Sequence, residues 1–135
     1  MNYFIIFMLV IFMCFDFKES SKCAPNTLQF KNLVAADRTI SVSCESNLGE
    51  GKDLTYVKFN DIYSFPVVES SRRIVWKCRI TDQKTRHFVM LWRAYRGAYN
   101  PRCGQTREYI ADVRGLSLVH NKKPTKQFFP WTVTL

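Results

Sequence analysis

The sequence predicts an all-β protein, a small antiparallel β-sandwich that is stabilised by disulfide bonds and preceded by a signal peptide. Apolar residues alternate with polar ones in RTISVSCESN (38–47) and RIVWKCRI (73–80), which is the period of a strand with one buried face. Turn residues recur about every ten residues, and no useful helical period occurs, as is typical of a sandwich or barrel. With 135 residues, 47% of them hydrophobic, the chain can form one domain with a real core.

Turn signals divide the chain into a series of short strands. Strands are predicted, in chain order, in TLQFKNL (27–33), RTISVSCESN (38–47), LTYVKF (54–59), IYSFPVV (62–68), RIVWKCRI (73–80), RHFVMLWRAY (86–95), REYIADV (107–113), LSLVH (116–120) and FFPWTVTL (128–135). Segments 45–53 and 96–105 are predicted to be exposed loops. Asn60 and Asp61 are predicted to form a tight hairpin turn. Pro66 lacks a hydrogen-bond donor, so its strand is expected at a sheet edge or to end there.

Aromatic side chains supply much of the predicted core. Alternation along 86–95 places Phe88, Met90 and Trp92 on one buried face. Five aromatic residues are expected in the core, namely Trp76, Trp92, Phe59, Phe65 and Phe88. Three others either cover the end of the sandwich or form an exposed contact patch, namely Phe128, Phe129 and Trp131.

An unbroken apolar run near the start predicts secretion. FIIFMLVIFMCF (4–15) is too short to cross a bilayer, which needs roughly 18 residues. Its length suits the apolar centre of a signal peptide, although no Lys or Arg precedes it. A buried N-terminal strand or a signal anchor is the alternative. We expect residues 1–23 to be the signal peptide, with the cut between 16 and 24, and residues 24–135 to form the secreted domain.

Export places the cysteines in an oxidising environment, where thiols pair. Cys44 and Cys78 both point inward from predicted strands, so their bridge is the first choice among the three connectivities open to four cysteines. Cys23, if the cut falls before it, would pair with Cys103 and tie down the N-terminus. One bridge with a free buried thiol is the alternative. Because no two cysteines are close in sequence and neither histidine has zinc-ligand spacing, no metal site and no cofactor are predicted.

Positive charge is the feature that bears most on function. The formal net charge is +9, and the cations of the second half are Arg72, Arg73, Lys77, Arg79, Arg86, Arg93, Arg96, Arg102, Arg107, Arg114, Lys122, Lys123 and Lys126. Several alternate with buried residues, so one sheet could present a basic face. An acidic receptor surface, anionic cell-wall pectin or phospholipid headgroups would be attracted to it, and a merely solvated surface is the alternative. Nucleic acid is not expected as a partner, because exposed aromatics do not interleave with the cations.

Catalytic motifs are weak. His87 and His120 could serve a secreted basic ribonuclease as acid and base, but neither lies in a motif, so two surface histidines are the simpler interpretation. No Gly-x-Ser-x-Gly sequence is present. We therefore expect a protein that is not an enzyme, with the ribonuclease and a cationic defence protein acting on membranes as alternatives.

The order of landmarks resembles the plant self-incompatibility protein homologues. The matching pieces are FKNL, VSCES around Cys44, YSF, WKC around Cys78, Cys103, ADVRGLSL and a late Trp131. They cover about a hundred residues in one order. The chain departs from the family where Ser43 precedes the first cysteine in place of His. Tyr109 and Ala111 stand where a cysteine and a tryptophan are usual, which makes Cys23 a substitute partner for Cys103.

The resemblance implies a secreted, non-enzymatic protein ligand. We expect a monomer that binds a protein receptor at a cell surface, with no stable membrane insertion. Binding residues are expected in loops, because loops on a rigid scaffold carry specificity. The candidates are Asn47, Glu50, Lys52, Asn60, Asp61, Arg96, Tyr99 and Arg102.

Overall fold

Two β-sheets packed face to face form the protein. The computed structural model describes residues 23–133, and the predicted signal peptide lies outside them except for Cys23. The strands are β1 (Asn26–Asn32), β2 (Ile40–Ser46), β3 (Gly51–Val57), β4 (Ile62–Val67), β5 (Val75–Asp82), β6 (Phe88–Arg96), β7 (Thr106–Ala111), β8 (Gly115–His120) and β9 (Lys123–Pro130). One sheet has the order β4-β1-β7-β8-β9 and the other β3-β2-β5-β6. The all-β sandwich is confirmed, and β1 with β7 is a parallel pair among antiparallel ones.

The core lies between the sheets, where the alternating residues of both inner faces meet. Trp76, Cys78 and Ile80 are buried along β5, as their period of two predicts. Phe30 of β1 stacks on Tyr109 of β7, with 5.6 Å between ring centroids. Tyr109 therefore fills core space between the sheets.

Both expected disulfide bonds form. Cys44 and Cys78 are direct partners in the β2–β5 pair, with Cα atoms 4.1 Å apart. Cys23 joins Cys103, with Cα atoms 5.1 Å apart. The second bridge needs Cys23 in the exported chain, which a signal cut after residue 23 would remove and an earlier cut would keep.

The hairpin predicted at Asn60 and Asp61 is wrong. These residues do form a turn, in which the Asp61 N–H donates to the Lys58 carbonyl, but β3 and β4 belong to different sheets. A turn signal marks a chain reversal without saying whether the next strand pairs with the last. The edge position predicted for Pro66 is confirmed, because β4 is the first strand of its sheet.

The predicted loop over 45–53 is longer than the observed one. β2 continues to Ser46 and β3 begins at Gly51, so only a short turn joins them. The Ser46 N–H donates to the Glu50 carbonyl and closes this turn. Lys52, expected in a loop, is therefore a strand residue.

The buried face predicted for 86–95 is wrong. Val89 and Leu91 are buried, whereas Trp92 is 68% exposed and Phe88 and Met90 lie half-buried on the outer face. Alternation is regular from Phe88 to Trp92, but its phase is opposite to the predicted one, because five consecutive apolar residues leave the phase undetermined. A bulge after Leu91, where β6 advances four residues and β5 only two, exposes Arg93 as well.

The other aromatic predictions have mixed outcomes. Trp76 and Phe65 are buried as expected, and Phe59 is half-buried. Phe129 and Trp131 pack against the core, which fits a cover over the sandwich end, whereas Phe128 is exposed.

Candidate partner-binding surfaces

Loops gather at the two opposite ends of the sandwich. The Cys103 end consists of the β2–β3 turn, residues 68–74 and the β6–β7 loop (97–105). Asn47 accepts from the Val75 N–H at 2.8 Å, and the Gly97 N–H donates to the Ile74 carbonyl at 2.8 Å, so segment 68–74 joins the turn to the loop. The Asn60 end consists of residues 58–61, the β1–β2 and β5–β6 connections and the β7–β8 turn.

The predicted contact residues are divided between these ends. Those at the Cys103 end are Asn47, Glu50, Arg96, Tyr99 and Arg102. Asn60 and Asp61 lie at the other end, where the Asn60 N–H donates to the Asn32 carbonyl. The ends are separated by about 20 Å, the length of a seven-residue strand such as β1. Lys52 lies in β3 with its Nζ 5.4 Å from the ring centroid of Phe65.

A buried carboxylate organises the Cys103 end. The Glu69 side chain is 0% exposed and accepts hydrogen bonds from the Tyr95 hydroxyl, the Ala98 N–H and the Arg102 N–H. The Arg102 guanidinium also donates to both carboxylate oxygens, from Nε at 3.2 Å and Nη2 at 3.0 Å. Arg102 thus fixes the loop from within and offers only part of its side chain to a partner.

These contacts control the ionisation of the site. Burial alone would raise the pKa of Glu69, but the donors from Arg102, Tyr95 and the backbone outweigh it and lower that pKa to about 2. Burial and the neighbouring Glu69 carboxylate raise the pKa of Tyr95. At neutral pH the cluster therefore holds a carboxylate, a guanidinium and a neutral phenol.

Exposed residues surround this rigid cluster. Tyr99 is 75% exposed and Val68 is 76% exposed. Exposed cations beside the cluster include Arg72, Arg73 and Arg96. A cavity of about 230 Å³ opens beside Val68, lined also by Pro66, Pro101 and the Cys23 bridge region. We call Tyr99, Val68 and the three arginines the Cys103-end surface.

The outer face of the four-stranded sheet pairs cations with aromatic rings. The Lys77 Nζ lies 5.3 Å from the centroid of the Trp92 ring, and the Arg79 guanidinium lies 4.2 Å from that of Phe88. The basic face expected from the sequence is therefore present. Trp92 is exposed on this face beside Lys77, contrary to the expectation that exposed aromatics do not interleave with the cations.

The two histidines lie at opposite ends of the sandwich. His120 ends β8 at the Cys103 end, whereas His87 precedes β6 near the β7–β8 turn. The length of β8, about 17 Å, separates these positions along the strand. Burial and the cations Arg107 and Arg102 lower the pKa of His120. The pair therefore lacks the shared site that acid–base cleavage of RNA needs.

Two further findings concern residues 23–133 only. No helix in this range is long and apolar enough to cross a membrane. No group of three His, Cys, Asp or Glu side chains in it could hold a metal ion.

Sequence reasoning missed Glu69 and the exposure of Trp92. Glu69 lies in a polar stretch, and its partners are 26 to 33 residues away, so no local pattern identifies it. For Trp92 the local sequence is ambiguous, because Phe88 to Trp92 are all apolar and either set of alternate residues could face inward.

Two face-to-face sheets with two disulfide bonds define a small, cross-linked β-sandwich of the secreted type. Residues 27–131 match the model of the plant self-incompatibility protein S1 family, and the chain belongs to that family. It is similar to S-protein homolog 14 of Arabidopsis thaliana, with 25% identity over 139 residues and 99% of each chain covered.

A solved structure of SPH (self-incompatibility protein homologue) proteins, described as small, highly stable and secreted from plants, has the same fold. It aligns with a TM-score of 0.66 and 19% identity, covering 82% of this chain and 96% of its own. The protein is a secreted member of its family.

Proposed function

We propose that this protein is a secreted ligand without enzymatic activity that binds an acidic site on a protein receptor at the cell surface. Cell–cell signalling is the corresponding role, and pollen–pistil recognition is the example that the family name supplies. The observation that carries the proposal is the Cys103-end surface, in which exposed Tyr99 lies on a loop held by a buried carboxylate and three exposed arginines lie in and beside the neighbouring segments.

The chemistry of this surface resembles that of protein-binding sites. Tyr and Arg are enriched where single residues dominate binding energy. Glu69 accepts four hydrogen bonds from the loop, so little conformational freedom remains to be lost on binding. The net charge of +9 would attract the protein to an acidic receptor and raise the association rate constant. That rate constant should fall strongly as the salt concentration rises.

Binding to plant protoplasts tests the proposal, because removal of the wall leaves receptors as the main sites. Labelled, oxidised protein should bind saturably, and the double variant Arg96→Ala/Tyr99→Ala should bind about tenfold more weakly. Lys126→Ala is the charge-matched control, since Lys126 is exposed on β9 of the other sheet. Equal weakening by Lys126→Ala, or binding that survives protease treatment of the protoplasts unchanged, would contradict a protein receptor.

A further inference from the structure

The outer face of the four-stranded sheet carries a groove that the receptor hypothesis does not use. A cavity of about 390 Å³ is lined by residues that include Ser43, Met90 and Arg79. A second cavity of about 230 Å³, lined by Asn47 and Trp92, shares Glu45 and Lys77 with the first. Together they form one elongated track, the outer groove, that follows β5 from Arg79 to the β2–β3 turn.

The groove offers a guanidinium group, that of Arg79, that is held in place but not neutralised. Stacking against Phe88 holds the Arg79 guanidinium, and the in-plane N–H donors of a stacked arginine remain free to bind carboxylates in pairs. Within residues 23–133 neither Arg79 nor the exposed Arg93 has a carboxylate partner. Cations without a carboxylate partner in the protein can bind the anionic groups of a ligand.

The shape of the outer groove and its other residues indicate which class of anionic ligand fits it. An elongated track suits a linear polymer better than a compact ligand. Trp92 gives an exposed apolar surface, and Glu45, salt-bridged to Lys77 at 2.7 Å, can accept hydrogen bonds from hydroxyl groups. The Lys77 ammonium covers one face of the Trp92 ring and leaves the other face for a sugar ring, and an exported plant protein meets wall polysaccharides before it meets nucleic acid.

We propose that the outer groove binds a polyuronate, a linear polysaccharide that carries a carboxylate on each sugar. Arg79 pairs with a carboxylate, Glu45 accepts from sugar hydroxyls, and Trp92 packs against the apolar face of a sugar ring. The groove shares no residue with the Cys103-end surface as defined above, so variants of each surface test the two bindings separately. A polyuronate in the cell wall would retain the secreted protein near the cell membrane that carries the proposed receptor.

Direct binding of polygalacturonate to the full oxidised protein tests the proposal. Arg79→Gln and Trp92→Ala should each raise the dissociation constant about tenfold. The control Lys126→Gln, which removes one charge from the other sheet, should change it less than twofold. Fully methyl-esterified polygalacturonate, which has lost its charge, should not bind.

Three outcomes overturn the proposal. The first is equal weakening by Lys126→Gln, which indicates diffuse charge attraction. The second is binding of the esterified polymer. The third is tighter binding of polyuridylate than of polygalacturonate, which indicates a nucleic-acid surface. Thermal unfolding of the variants excludes a loss of folding, and both positions are exposed. Arg96→Ala/Tyr99→Ala should bind polygalacturonate normally, whereas Arg79→Gln should bind protoplasts normally, so failure of one proposal leaves the other standing.

Discussion

Replacing Glu69 with Gln should remove much of the acid dependence of stability. The pKa of Glu69 falls from 4.5 to about 2 on folding. At about 1.4 kcal/mol for each pKa unit, ionised Glu69 contributes about 3 kcal/mol to the free energy of unfolding at neutral pH. Because the folded pKa is the lower one, this contribution is complete above about pH 5 and is lost as the pH falls towards 2.

Glu69→Gln keeps one acceptor oxygen but presents amide donors to Arg102 and Tyr95, which are donors themselves. We expect the variant to be about 3 kcal/mol less stable at pH 7, with a melting temperature lowered by about 10 °C. Between pH 6 and pH 2.5 the wild type should lose this advantage and approach the variant.

Urea unfolding with the disulfides intact, followed by circular dichroism at a series of pH values, measures both effects. Glu45→Gln is the matched control, because Glu45 is an exposed carboxylate whose salt bridge with Lys77 is worth less than about 1 kcal/mol. Parallel pH profiles for the wild type and Glu69→Gln, or a difference below about 0.5 kcal/mol at pH 7, would refute the role given to Glu69.

Three other predictions concern the framework. Replacing Cys44 and Cys78 together by alanine should lower the unfolding free energy by about 4 kcal/mol, since the bridge closes a loop with a sequence separation of 34, and a urea midpoint equal to that of wild type would exclude this. Gly115→Ala should destabilise the protein by more than about 2 kcal/mol, because φ is +152° and the new Cβ would lie 2.1 Å from a carbonyl of β9; an unchanged melting temperature would contradict the clash. The exported chain should begin at or before Cys23 and carry the bridge to Cys103, which N-terminal sequencing and non-reducing peptide mapping check; a chain that begins at residue 24 would be inconsistent with it.

The buried face of each central strand could be predicted from the sequence. Trp76, Cys78 and Ile80 alternate without interruption because β5 has neighbours on both sides, and the same regularity identified the bridge to Cys44. Along β6 the prediction failed at Trp92, because Phe88 to Trp92 are all apolar and a period of two fits them in either phase.

Long-range arrangement could not be predicted from local patterns. The turn at Asn60 was located correctly, but its two strands pair with β2 and β1, which lie in different sheets. Glu69 gave no signal, because a charged residue between serines and a valine is typical of a surface turn. Its burial follows from Arg102, which comes 33 residues later.

The place of β1 in its sheet dictates the order in which the molecule can be assembled. β1 lies between β4 and β7, and Thr27 of β1 pairs with Thr106 of β7. During translocation β1 emerges first, but it can pair with β7 only after that much later strand has also emerged. Contacts so distant in sequence slow folding, so the chain completes its sheet only after most of its length has crossed the membrane.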